Sequence, residues 1–338
     1  MNTHSSTLGV RDEQFMRRAL STALQARLIS RPNPWVGAVV ICLNGATFEG
    51  CTAAPGGPHA EIAALRRAGE AAKGGTLYVT LEPCSHTGRT GPCTTAIISA
   101  GISRVVVGII DPDTKVAGSG VTALRAAGIN VEVGVLGSHV SSQLAPYIHH
   151  RTTGTPFVVL KMASTLDGKT AAANGSSQWI TGPVARQRVH ELRAESDAVV
   201  VGAGTVRADN PSLTVREAEG PSPRRIVLGS VPANSNVHPC TEYTGEITLL
   251  LQQLGADGVL QLLVEGGHTV ASNFHRAGLV NRYVFHIAPA LAGGNNAAGI
   301  FAGDAVNDIA DMWRGSITSV QQLGDDLEVV VEPLKDIS

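Results

Sequence analysis

With 338 residues, 26 Lys and Arg against 28 Asp and Glu, and only 4% aromatics, the chain is long for one core and shows no basic block of the density a polynucleotide surface needs. No apolar run is long enough to cross a bilayer, and Met1 to Val10 lacks the apolar stretch of a secretory leader, so a cytoplasmic protein without nucleic-acid or membrane partners is expected. Five cysteines, an odd number, fit a reducing compartment better than a disulfide framework.

The first element expected is a helix from Asp12 to Leu28, with Phe15, Met16, Ala19, Leu20, Ala23 and Leu24 on one stripe and Asp12 placed to cap its start. Val36 to Leu43, the Asn44-Gly45 turn signal and a short return strand form a hairpin. A helix from Ala60, strand Thr76 to Leu81, a helix after Cys93, strand Arg104 to Ile110, helix Gly120 to Ala127 and strand Ile129 to Val133 then alternate, as in a sheet covered by helices on both faces. A helical segment from Ser138 to His150 closes a first domain over residues 1–150, and Thr152-Thr153-Gly154-Thr155-Pro156 reads as the junction. A second α/β domain over 154–338 opens with strand Phe157 to Met162 and helix Pro183 to Ala194. Strands Ala198 to Val201, Arg225 to Leu228, Ile247 to Leu251 and Gln261 to Val264 follow, then helix Thr269 to Ala277, strand Arg282 to Ile287, and late strands near Ile317 to Leu323 and Leu327 to Val331.

His59-Ala60-Glu61, Pro83-Cys84 and Cys93 form the constellation that carries chemistry. One imidazole and two thiolates are zinc ligands, and three protein ligands leave the fourth tetrahedral position to a water that loses its proton near neutral pH. Expelling ammonia from an amidine-like ring carbon also needs protons moved from that water to a ring nitrogen and to the leaving amine. Glu61, two residues past a ligand and not one itself, is the shuttle. Helices opening at Ala60 and just after Cys93 turn their positive ends toward the metal, which favours thiolate at Cys84 and Cys93. A lone His with two distant Cys is more often a core histidine and two buried thiols, and a structural zinc wants a fourth ligand, for which Cys42, Cys51 and His86 are available. The spacing favours a catalytic zinc, although the eight residues between Cys84 and Cys93 depart from the short Cys-x-x-Cys form.

In the second domain, Val201-Gly202-Ala203-Gly204-Thr205 and Val264-Glu265-Gly266-Gly267-His268-Thr269 put glycines between a strand and a helix start, where free backbone amides suit a pyrophosphate. Either alone is equally well explained as turn geometry; two in one domain point to phosphates. The Rossmann dinucleotide fingerprint is not met, because Arg207 stands where its third glycine belongs, so a nicotinamide cofactor needs another fold. Asp167-Gly168, Arg193, Arg207, Asp209 and Arg216 are individually explained by turns and surface pairs. Glu265 differs, because a carboxylate ending an apolar strand beside two glycines is costly without a task; Asp167 and Glu265 are the candidates for acid-base work.

Pro32 to Gly37, Pro58 to Glu61, Leu81 to Cys93 and Asp111-Pro112 resemble the deaminase half of the bifunctional riboflavin-biosynthesis deaminase/reductases. Thr165 to Thr170, Ser177 to Thr181, Leu192 to Ala194, Thr205 to Pro211 and Leu213 to Arg216 resemble the reductase half. The long gap between the cysteines is that family's own pattern. The resemblance implies an N-terminal cytidine-deaminase-like α/β/α domain, a zinc-dependent pyrimidine deaminase, followed by a C-terminal dihydrofolate-reductase-like α/β domain, an NADPH-dependent reductase. It implies deamination of 2,5-diamino-6-ribosylamino-4(3H)-pyrimidinone 5′-phosphate, then reduction of the ribosyl group to give 5-amino-6-ribitylaminouracil 5′-phosphate, with Zn2+ and NADPH as cofactors.

By the same resemblance zinc falls to His59, Cys84 and Cys93, with Glu61 as proton donor. NADPH falls to Ala163, Trp179, Thr205, Asp209, Ser230 and the run Gly267, His268, Thr269, Val270, Ala271, Ser272 and Asn273. Substrate falls to Ser177, Arg193, Leu213, Arg216 and Glu265, with Asn33 set for the pyrimidine or ribose and His86 and Arg89 for the phosphate. Arg193 and Arg216 suit a sugar phosphate, and Trp179 suits a nicotinamide ring. A homo-oligomer is expected. Two features depart from the family: Gly50-Cys51-Thr52 stands where relatives carry an aromatic and a His, and the segment from Arg216 to Gly245 is short, which bears on Ser230.

Two other readings lead elsewhere. A tRNA or free-nucleobase deaminase with a non-catalytic second domain calls for basic patches and leaves both glycine turns idle. A zinc-stabilised binding protein has no use for Glu61 beside an incompletely ligated metal.

Overall fold

The computed structural model of the chain describes residues 3–86, 91–114 and 116–334, residues 3–8 by backbone alone; Arg89 lies outside the described residues. The chain divides into two compact units, Met1–Gly154 and Thr155–Ser338. Among the described residues no helix is long and apolar enough to cross a membrane.

The first unit runs α1 (Thr3–Ala23), β1 (Gly37–Ile41), β2 (Thr47–Cys51), α2 (Ala60–Ala68), β3 (Thr76–Leu81), α3 (Cys93–Ser99), β4 (Arg104–Ile109), α4 (Ser119–Ala126), β5 (Asn130–Val133), α5 (Gly137–Gln143) and α6 (Ala145–Thr153). Its sheet has the order β2-β1-β3-β4-β5. The β1–β2 hairpin turns at Asn44-Gly45, where the Asn44 side-chain oxygen accepts from the amide of Ala46 at 3.0 Å and Gly45 takes a φ of 85°. β3, β4 and β5 are parallel, with Leu81 beside Ile109. The chain therefore leaves β3 and β4 side by side, and the segment carrying Cys84 lies next to the segment after Ile109. Expected as one helix, Ser138 to His150 is two, α5 and α6, parted at Leu144 just before Pro146.

Helix α1 also differs from expectation. It begins at Thr3, so Asp12 lies inside it rather than at its cap. The Asp12 carboxylate instead accepts two bonds from Arg104, both 2.7 Å, and one from the Tyr78 hydroxyl at 2.7 Å, fixing α1 to β3 and β4. Burial alone would raise the pKa of Asp12, but the Arg104 and Tyr78 bonds outweigh it and hold the carboxyl below its ordinary value. A depressed carboxyl contributes stability that is present above its ordinary value and is lost as pH falls through the lowered one. Asp12→Asn is therefore expected to cost about 3 kcal/mol at neutral pH by leaving Arg104 without its buried partner. Urea titrations should show the gap from wild type closing below about pH 4.

The second unit runs β6 (Phe157–Thr165), α7 (Pro183–Ala194), β7 (Ala198–Gly202), α8 (Ala203–Asp209), β8 (Arg224–Leu228), β9 (Thr241–Tyr243), α9 (Ile247–Ala256), β10 (Gln261–Val264), α10 (His268–Arg276), β11 (Arg282–Ala288), β12 (Gly315–Leu323) and β13 (Asp326–Pro333). Its sheet has the order β12-β13-β11-β6-β10-β7-β8-β9, parallel from β11 through β9 with an antiparallel β12–β13 hairpin at one side. β7 and β10 are buried along their whole length, the reason they read as unbroken apolar runs. On one face of β6, Val158, Leu160 and Met162 join Leu262, Phe274 and Leu254 in the core; Lys161 and Ala163 project to the other face.

Ile247 to Leu251, expected as a strand, belongs to helix α9. Leu250, Leu251 and Leu254 recur at helical spacing and bury one side of it. The strand beside β8 is instead the short, mostly exposed β9.

Candidate active sites

In the first unit three elements bring the zinc ligands together. His59 is the residue before α2, in extended conformation, and Cys93 is the first residue of α3. Cys84 follows β3 and faces both. His59 Nδ1 lies 3.7 Å from Cys84 Sγ and 3.3 Å from Cys93 Sγ, and the three ligand atoms all fall within 4.8 Å of one another. Atoms held tetrahedrally at zinc–ligand bond lengths are roughly 3.5 Å apart, so this donor set fits a zinc ion. Among the described residues no fourth His, Cys or carboxylate belongs to the cluster.

Glu61, in the first turn of α2, is 4% exposed, and its carboxyl reaches the Cys93 side chain. Burial raises its pKa to about 7. The hydrogen bond between the two thiols lowers Cys84, with His59 adding to the effect, and the same bond together with burial pushes Cys93 up. The amide of Cys93 also donates to Cys84 Sγ at 3.4 Å, so α3 starts against that sulfur. Gly50, next to the departure at Cys51 and Thr52, is fixed by packing. A Cβ there would lie 2.4 Å from both Ala60 O and Ala64 N, so β2 meets the helix carrying Glu61 backbone to backbone.

Asn33 sits in a turn in which its amide donates to Ser30 O at 2.9 Å and the Ser30 hydroxyl donates to Asn33 O at 3.2 Å. His86 is exposed, just beyond Cys84.

In the second unit β6, β10, β7 and β8 are parallel neighbours, so their carboxyl ends share one edge of the sheet, where open α/β sheets bind ligands. Ala163 is near the end of β6. Thr205 and Asp209 lie on α8, Ser230 follows β8, and Gly267 precedes α10. A Cβ on Gly267 would come 3.2 Å from Thr205 Oγ1, whereas Gly204 faces open space. The two glycine turns thus adjoin and leave room above them. Val270 and Ala271 are core residues, and the Ser272 hydroxyl is engaged by His268 O and Ala302, so those side chains serve packing. Gly267, His268 and the exposed Thr269 and Asn273 remain accessible.

A cleft of about 190 Å³ opens beyond β6, lined by Thr165, Lys169, Ser177, Gln178 and Trp179. Trp179 is 69% exposed, with the Arg186 guanidinium 4.8 Å from its ring centre. The Ser177 hydroxyl donates to Asp209 at 3.1 Å. Ser230 is exposed, and its carbonyl accepts from Arg207 at 3.1 Å.

Arg193 is not a free anion clamp. Its Nε and Nη2 donate to the two oxygens of Glu265 at 2.7 and 2.8 Å, and Nη1 to Thr214 O at 3.3 Å. Arg216 is exposed and spends one donor on Thr214 Oγ1. Leu213 is buried with a φ of 53°. Asp167 accepts from the Thr165 hydroxyl and from the amides of Ala292 and Gly293. The Thr165 bond, helped by the two amides, brings it down to about 2, and the carboxylate clamps the loop at Ala292 and Gly293.

Lys161 was missed by the sequence reading. It lies on the β6 face away from the apolar core, and burial lowers it to about 8 while Glu265 pulls it back up. Burial pushes Glu265 up, but Arg193 and then Lys161 outweigh that and keep it ionised. The available signal was a lone lysine inside the apolar run Phe157 to Met162.

Comparison with known proteins covers both units. Residues 10–109 match the cytidine and deoxycytidylate deaminase zinc-binding region, and residues 156–329 match the RibD C-terminal domain. The chain is 37% identical to riboflavin biosynthesis protein RibD of Escherichia coli, over 94% of this chain and 98% of that protein. It is 40% identical to the protein of the same description from Mycobacterium tuberculosis, over 93% and 95%. The solved structure of Acinetobacter baumannii RibD superposes with a TM-score of 0.90 at 35% identity, covering 97% of this chain and all of that one. A Thermotoga maritima structure described as a diaminohydroxyphosphoribosylaminopyrimidine deaminase/5-amino-6-(5-phosphoribosylamino)uracil reductase gives 0.86 at 35% identity, over 96% and 99%. With both of its units matched in order and nearly its whole length aligned, this chain belongs to the RibD family of bifunctional riboflavin-biosynthesis deaminase/reductases.

Proposed function

We propose that this protein deaminates 2,5-diamino-6-ribosylamino-4(3H)-pyrimidinone 5′-phosphate in its first unit and reduces the ribosyl group of the product with NADPH in its second, yielding 5-amino-6-ribitylaminouracil 5′-phosphate. The observation that carries the first step is Glu61, buried and raised to about 7 beside a His-Cys-Cys donor set within 4.8 Å. His59, Cys84 and Cys93 hold the zinc. Zinc supplies, when bound, a Lewis acid that makes water a nucleophile near neutral pH. Glu61 takes one proton from the attacking water and passes it to the ring nitrogen, then takes the proton of the newly attached hydroxyl and passes it to the amine, which leaves as ammonia. A group that titrates near the working pH serves well in both directions. Asn33 orients the pyrimidine or ribose from its turn.

In the second unit NADPH supplies the hydride. The adjoining glycine turns at Gly204 and Gly267, with Thr205 and Thr269, receive its phosphates, Ser230 lies toward its adenosine, and the exposed face of Trp179 packs on the nicotinamide. Arg216 holds the substrate phosphate with its uncommitted donors, Ser177 lines the sugar while bonded to Asp209 on the NADPH side, and Leu213 closes the wall. Arg193 orients Glu265. Lys161 Nζ and the Glu265 carboxylate manage the proton that accompanies the hydride. The chain acts as a homo-oligomer: edge strand β12 presents Ile317 and Val320, 65% and 58% exposed, a surface that suits a second copy.

The test is direct. Purified protein with the diaminopyrimidinone phosphate should release ammonia, and NADPH absorbance should fall only after that release. Ammonia from cytidine or a tRNA substrate, with no NADPH consumed on the deaminated pyrimidine, would support a different deaminase.

A further inference from the structure

We infer that Glu82 is a positioning residue for the zinc ligand Cys84, acting through the first turn of α4. Glu82 directly follows β3, two residues before Cys84, and is 4% exposed. Its Oε2 accepts from the amides of Asp111 at 3.2 Å and Gly118 at 2.9 Å, and its Oε1 from the amide of Val121 at 3.0 Å. A helix start leaves such amides without partners. The residue before α4 is Gly118, at a φ of 86°, which has no side chain to cap it. A carboxylate from another strand therefore caps α4 and ties down the segment after β4 as well.

That turn in turn grips Cys84 from both sides. A Cβ on Gly120 would lie 1.9 Å from Pro83 O, so the α4 backbone rests directly against the residue before the ligand. The Ser119 and Ser85 hydroxyls are 2.7 Å apart, so the residue after the ligand is held by the same turn. The contacts close a ring from Glu82 to Val121, Gly120, Pro83 and Cys84. Tyr147 steadies the far end of the segment, its hydroxyl 3.1 Å from Asp111 Oδ1. Groups that orient metal ligands typically change metal affinity by 10- to 100-fold when removed. Gln at position 82 keeps the shape but turns an amino group toward donors that need an acceptor.

The inference rests on the zinc reading of the first unit, and the measurements separate the two. Full-length Glu82→Gln, Ser119→Ala and wild type are loaded with zinc and challenged with a chromogenic chelator. Cobalt-substituted samples are compared by their thiolate-to-metal absorption, reduction of supplied deaminated substrate shows that the second unit is untouched, and circular dichroism with thermal melting of the full-length protein serves as the folding control. Glu82→Gln is expected to lose zinc on the order of ten times faster, with a displaced cobalt band, a lowered deamination kcat at similar KM and intact reduction. Ser119→Ala should move the same readouts the same way by less. Should Glu82→Gln not fold, Ser119→Ala alone decides. Wild-type zinc loss and cobalt spectrum in every folded variant, even with a lowered melting temperature, would make Glu82 a purely structural cap and overturn the inference. Failure of wild type to bind zinc would instead overturn the reading beneath it.

Discussion

Glu61→Gln is expected to cut ammonia release by about 10³-fold while leaving reduction of supplied deaminated substrate at the wild-type rate. The carboxyl is buried and titrates near neutrality because of that burial, and the glutamine amide fills the same space without carrying a proton between water and ring. General acid-base groups contribute roughly 10²- to 10⁴-fold, and this one serves both directions of transfer. The check is a pair of assays on one preparation, ammonia with the diamino substrate and NADPH absorbance with the deaminated one. Loss of both activities in a folded variant contradicts independent sites; retained ammonia release removes Glu61 from the chemistry.

Glu265→Gln is expected to do the converse. Arg193 holds the Glu265 carboxylate by two hydrogen bonds in a buried setting, with the charge of Lys161 acting on it from further off, and removing one member of such a set costs on the order of 3–5 kcal/mol. If half of that falls on the reactive arrangement, reduction slows by at least tenfold, with deamination unchanged. The pH dependence has a definite sign. Burial lowers Lys161 to about 8 and Glu265 raises it, so without that anion its ionisation moves lower still. An alkaline fall of reduction is expected near pH 8 in the wild type and should shift toward neutrality in the variant. An unchanged rate and profile would remove this cluster from the reduction step.

The zinc centre was legible because its signal is local and chemical. His59, Glu61, Cys84 and Cys93 are residue types that only a few chemistries require together, and helix starts at Ala60 and Cys93 follow from the sequence beside them. The Asn44-Gly45 hairpin was legible for the same reason. What was not legible needed distant partners. Asp12 resembles a cap until Arg104, 92 residues on, is seen to claim it. The sequence around Arg193 does not show that its fork engages Glu265, 72 residues away. Ile247 to Leu251 has an apolar run as compatible with a strand as with a helix, and only burial of Leu250, Leu251 and Leu254 on one side decides. Glu82 lies within the Leu81 to Cys93 motif, but its work depends on where α4 begins.

X-ray absorption at the zinc edge of the full-length protein bears most directly on the whole reading. The expected spectrum has two sulfurs at about 2.3 Å, one imidazole nitrogen and one further oxygen at about 2.0–2.1 Å, matching Cys84, Cys93, His59 and an open position. A third sulfur, a second imidazole or the absence of zinc would contradict it.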